Sequence, residues 1–104
     1  MSKIRLFLFM MIFSSLNTSH AASDGLNGEA LFVEKCAMCH RERGMGTGLL
    51  ARRMETALLE ERTDLNSQAV IIMARMGIGN MPRISRGEVS DEQLQAIADY
   101  LSKK

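Results

Sequence analysis

The chain has 104 residues, with 13 Lys+Arg against 12 Asp+Glu and a formal net charge of +1. That length holds one small domain, and the near balance of charge leaves no basic excess for a nucleic-acid partner. Two cysteines, one proline and no tryptophan exclude a disulfide-rich scaffold, a collagen and a Pro-rich stalk.

Residues 1–21 read as a cleaved export signal. Lys3 and Arg5 precede an apolar run from Leu6 to Phe13, which Ser14 and Ser15 interrupt. A membrane span needs about 20 mostly apolar residues, and this run is far shorter. Ser19-His20-Ala21 places small residues at the two positions read by signal peptidase. The cut is expected after Ala21, with Ala22 the neighbouring alternative. The exported domain is then 22–104, destined for the periplasm and without a permanent membrane anchor.

Losing Lys3, Arg5 and His20 leaves 11 basic residues, 12 acidic residues and a single histidine, His40. The remaining 83 residues are marginal for a self-sufficient hydrophobic core. Something besides side chains is expected to help hold the domain together.

The apolar pattern is helical throughout, with no alternating strand. Asn27 caps an expected first helix through Gly28, Leu31 and Phe32 to Cys36. A second helix is expected over Leu50 to Glu61, with Met54 and Leu58 on one side. A third runs from Ser67 to Met76 and stops at Gly77. For the last helix, Ser90 and Gln93 form a capping box, and Val89 and Leu94 a hydrophobic staple. Leu94, Ile97, Ala98 and Leu101 give it one apolar stripe. Two glycine-rich stretches, 43–48 and 77–83, are expected as loops passing near something bulky.

Cys36-Ala37-Met38-Cys39-His40 is C-x-x-C-H, the attachment sequence for c-type haem. Two thiols three positions apart at a helix end reach the two vinyl groups of one porphyrin, and the adjacent imidazole lies under the iron. A Cys36–Cys39 disulfide would close too short a loop to stabilise much. Zinc needs four ligands, and the exported chain has three Cys and His residues. A thioredoxin-like dithiol expects a βαβ setting, which the pattern lacks.

With His40 used, a second axial iron ligand falls to methionine. Met38 lies inside the motif, and Met45 is close to His40 in sequence. Met54, Met73 and Met76 follow helical patterns, where core packing is the usual explanation. Met81 lies in a glycine-rich loop, with Pro82 preventing that loop from joining a helix. Elimination therefore points to Met81.

These motifs resemble the class I cytochromes c, in particular the small bacterial periplasmic type. The resemblance covers the exported chain and rests on C-A-M-C-H at 36–40, G-N-M-P at 79–82, L-Q-A-I-A-D-Y-L at 94–101, and Gly28 and Phe32. It implies an all-α fold of about four helices around one covalent haem c. The first and last helices would cross, with Gly28 and Phe32 against Ile97 and Tyr100. Family members often carry a proline shortly after the haem histidine, whose carbonyl accepts from the imidazole. No proline lies between His40 and Met81, so a carbonyl within 45–48 is expected to serve.

An iron with both axial places filled leaves no open position for oxygen or peroxide. The expectation is therefore a one-electron carrier, not an enzyme. Its partners would be redox proteins, met either as a diffusing shuttle or as a haem c subunit of a flavin- or quinone-dependent dehydrogenase. The segment 41–86 carries eight arginines against five acids, while 22–40 and 87–104 are both net acidic. Arg41, Arg43, Arg75, Arg83 and Arg86 flank the haem ligands and are expected to form a positive docking rim. Arg52 and Arg53 are candidates to neutralise haem propionates.

Overall fold

The computed structural model describes residues 25–103; the expected export signal, 1–21, lies outside them. Five α-helices and one short 3-10 turn follow in chain order: α1 Gly28–Lys35, α2 Ala37–His40, α3 Met45–Leu50, the turn Leu59–Glu61, α4 Ser67–Met76 and α5 Asp91–Ser102. Among the described residues there is no strand, only an isolated bridge between Ile78 and Met81.

The helix ends are written in short-range chemistry. The Asn27 side chain accepts from Ala30 N at 3.0 Å, and Asn66 accepts from Ala69 N at 2.9 Å. Ser90 and Gln93 complete both bonds of the capping box, at 3.1 and 3.0 Å. Each cap satisfies amide donors that a helix start leaves unpaired. Val89 and Leu94, the staple pair, are both buried in one core cluster with Phe32, Ala74, Ile97 and Leu101.

The crossing of α1 and α5 builds that core. A Cβ on Gly28 would lie 2.2 Å from the Ala96 carbonyl oxygen, so only glycine permits this approach. Phe32 is fully buried, and its ring centroid lies 6.1 Å from that of Tyr100. α4 packs on α5 from the other side, contributing Ala74, Val70 and Ile71.

The middle of the chain differs from expectation. The helix expected over Leu50 to Glu61 does not form. Arg53 N and Met54 N both fold back to Leu50 O, at 2.9 and 3.0 Å, and end α3 in tight turns. Twelve helical residues would carry the chain about 18 Å along one axis, whereas Leu59 has to return to the core and Glu60 to Arg41. Tertiary contact overrides propensity. Conversely, residues 45–48, expected as loop, are helical within α3.

Candidate functional site

α1 hands directly to α2 at Cys36. Cys36 N donates to Phe32 O at 2.8 Å, and the Cys36 carbonyl then accepts from Cys39 N and His40 N at 3.2 and 3.0 Å. One turn thus gathers Cys36, Cys39 and His40. Both thiols are free. Burial, and secondarily the Cys39 thiol, push Cys36 up to about 11. Burial lowers the His40 pKa, favouring the neutral imidazole, the form that binds a metal.

Glycine backbone packs against this turn. A Cβ on Gly44 would lie 2.4 Å from Cys39 O, and one on Gly46 2.8 Å from it and 3.3 Å from His40 Cε1. Thr47 Oγ1 donates to Cys39 O at 3.4 Å. This is why a glycine-rich stretch is helical: its bare faces fit where no side chain would. The expected acceptor for His40 is not found there. Gly44 O and Thr47 O accept from Gly48 N and Ala51 N within the helix, and His40 Nδ1 is buried with no partner among the described residues.

The 77–83 stretch, expected as irregular, contains a tight reversal. Ile78 N donates to Met81 O at 3.1 Å, and Met81 N to Ile78 O at 2.9 Å. Gly79 at φ 54° supplies the left-handed residue that the turn needs. Gly77 has φ 73° and ψ 159°, a conformation that essentially only glycine adopts. Met81 is half-buried and packs on the core cluster, as Cys36 does.

The other methionines divide differently from expectation. Met73 and Met76, expected in the core, are 45% and 65% exposed, because the α4 period gives the inner face to Val70, Ile71 and Ala74. Met38 is 91% and Met45 66% exposed. Met54 is half-buried in the turns after α3, not on a helix.

Two ionic clusters were not legible beforehand. Arg41, next to His40, forks onto Glu60 with bonds of 2.9 and 3.2 Å, and the Tyr100 hydroxyl donates to the same carboxylate. Arg75 donates to Ile84 O, Val89 O and Asp91 at 3.1, 3.0 and 2.9 Å. These partners lie 9 to 40 residues apart, beyond any local sequence signal. They also divide the arginines expected at the rim. Arg75 is half-buried, Arg41 is paired with Glu60, and Arg86 stays exposed while paired with Asp91. Arg43 and Arg83 are exposed, with no partner among the described residues.

The residues fit a haem. Half-buried apolar side chains from several elements, among them Ala37, Leu59, Leu65, Val70, Met81 and Ile84, pack on the core around Phe32 and Ile97. A flat apolar macrocycle suits such a surface, and the two thiols suit two thioether links. With His40 Nδ1 enclosed, Nε2 is the nitrogen that would face an iron.

The family described as "Cytochrome C oxidase, cbb3-type, subunit III" matches residues 23–101. The chain is similar to cytochrome c6 of Parathermosynechococcus lividus, at 32% identity over 80 residues, covering 76% of this chain and 88% of that protein. It is also similar to a chain in the crystal structure of p-cresol methylhydroxylase with substrate bound. That likeness has a TM-score of 0.57 at 28% identity and covers 74% of this chain and 90% of the other. Motif, helical fold and relatives agree: the chain belongs to the cytochrome c family, as a small class I cytochrome c that binds covalent c-type haem and carries electrons.

Proposed function

We propose that the protein is an exported, periplasmic one-electron carrier in which Cys36 and Cys39 hold one haem c covalently and His40 and Met81 are the axial iron ligands. The observation that carries this reading is the sharing of one core. Cys36, leading into His40, and Met81 pack on the same apolar cluster, one from the α1–α2 junction and the other from the 77–83 loop, and Met81 is the sole methionine packed there among the described residues. When bound, the haem supplies an iron that alternates between ferrous and ferric states.

The chain sets the conditions for that exchange. His40 offers a neutral nitrogen, and Met81 a soft thioether that favours the reduced metal and raises the potential. The core side chains exclude water from the same surface. The Ile78–Met81 turn and the core contacts at either side limit rearrangement, which keeps the cost of changing charge low.

A potentiometric titration of the exported protein tests this. One reversible one-electron wave is expected, without peroxide turnover. A peroxidase activity comparable to that of a five-coordinate haem enzyme would contradict it.

A second reading, a haem c subunit bound to a dehydrogenase, is favoured by one observation: the similar fold occurs as a chain in a methylhydroxylase structure. Co-purification from the native source separates the two. A stable one-to-one complex with a larger oxidoreductase supports the subunit, and a lone small cytochrome supports the shuttle.

A further inference from the structure

The 77–83 loop is closed at its neck. Ala74 and Arg75, in the last turn of α4, take both backbone groups of Ile84: Ile84 N donates to Ala74 O at 2.9 Å, and Arg75 Nη1 donates to Ile84 O at 3.1 Å. Met81 lies within the excursion so enclosed. Inside it, the reciprocal Ile78–Met81 pair is the main internal support, and Ile78, Asn80, Pro82 and Arg83 are exposed. The loop is therefore held more by its closure than by its own packing.

Arg75 extends that closure to α5. Its Nη2 donates to Val89 O at 3.0 Å and to Asp91 Oδ1 at 2.9 Å, and its side chain is 13% exposed. Ile84 O and Val89 O lie outside any helix, where no regular ladder supplies donors, and an unmet buried carbonyl is costly. The planar guanidinium serves three acceptors at once, which an ammonium cannot do with the same rigidity. Arg86 donates to the other Asp91 oxygen at 3.0 Å, and Arg86 and then Arg75 hold that carboxyl below its ordinary range.

We propose that Arg75 is the positioning residue for Met81: its grip on Ile84, Val89 and Asp91 keeps the loop shut and the thioether in place. This rests on Met81 being the axial ligand. Opening of the loop exchanges the thioether for an external ligand, so the strength of the grip sets how easily that exchange occurs. No covalent bond is made or broken in the chain.

The test is titration of the ferric, haem-loaded protein with imidazole, read by loss of the long-wavelength sulfur–iron absorption. Arg75→Gln is expected to tighten apparent imidazole binding about tenfold, a modest share of three lost hydrogen bonds. Arg75→Lys, which keeps the charge but not the fork, is expected to lie between it and wild type. It carries the test if Arg75→Gln does not load haem. Gly28→Ala, whose new methyl would meet Ala96 and Tyr100 at the α1–α5 crossing, controls for general destabilisation and is expected to leave imidazole affinity unchanged while lowering Tm. Unchanged affinity in both Arg75 variants overturns the proposal. So does an equal shift in Gly28→Ala, since the readout would then follow global stability. Met81→Ala separates the two readings. If it leaves the absorption intact, the ligand assignment fails and this proposal with it; if it abolishes the absorption while Arg75 is inert, the positioning role alone fails.

Discussion

The Tyr100 hydroxyl donates to Glu60 across 40 residues of sequence, joining α5 to the carboxylate that also grips Arg41 beside His40. This bond, with burial and the Glu60 charge behind it, raises Tyr100 from 10.0 to about 12. The folded state thus holds the phenol proton more tightly than the unfolded chain. The associated stability is complete below pH 10 and is lost as pH rises toward 12. The chain has one tyrosine, so a difference titration of tyrosinate absorbance reports this group alone. Tyr100→Phe is expected to remove that part of the alkaline loss in unfolding midpoint. A phenol that titrates near its ordinary value would contradict the contact.

Gly28→Ala is expected to destabilise the protein by about 1–3 kcal/mol, the cost of overpacking a close contact. Its new methyl would meet the Ala96 carbonyl and the Tyr100 Cβ, both on α5. Denaturant unfolding of the haem-loaded variant measures this, and a change under about 0.5 kcal/mol, the range of ordinary surface substitutions, would show that the helices can separate freely.

Changing both Cys36 and Cys39 to Ala is expected to abolish covalent haem and leave residues 22–104 largely unfolded. The buried hydrophobic set around Phe32 and Ile97 is small, and chains of this size have little core to spare. Circular dichroism of the double variant checks it. A haem-free chain with full helix content and a sharp thermal transition would refute the dependence on haem.

Arg43 and Arg83 are the exposed rim cations with no ion-pair partner among the described residues, whereas Arg41 and Arg86 pair with Glu60 and Asp91 and the Arg75 side chain is 13% exposed. Reversing either to Glu is expected to slow electron transfer with the physiological partner at low salt and to leave the potential nearly unchanged. The difference is expected to fade as screening shortens toward about 8 Å at physiological ionic strength. Rates measured against ionic strength decide. A flat dependence in wild type would favour a permanent apolar contact with a dehydrogenase.

What the sequence disclosed followed the range of the interaction. The Ser90–Gln93 box, the Asn27 cap and the Gly77 stop act within a turn, and each was readable from adjacent letters. The Gly28 crossing was expected from the resemblance to class I cytochromes c, and the steric meaning of a glycine there agrees with it. Residues 50–61 misled because good helix formers there are turned aside by Leu59 and Glu60, whose partners are remote. Residues 45–48 misled in the other direction, since Gly46, like Gly44 just before it, is there to meet the Cys39 carbonyl. At the site, C-x-x-C-H was explicit in sequence, whereas the Arg75 and Arg41 networks exist only through tertiary contact.

The central claim is that Met81 faces the haem iron opposite His40. Carbon-13 labelling of methionine methyl groups in the reduced, haem-loaded protein tests it most directly by NMR. Residues 22–104 hold six methionines, and a methyl held over a porphyrin face is displaced far upfield by the ring current. One such resonance is expected, lost in Met81→Leu and retained in Met76→Leu and Met45→Leu. Six resonances at ordinary shifts, or an upfield signal that survives Met81→Leu, would contradict the account.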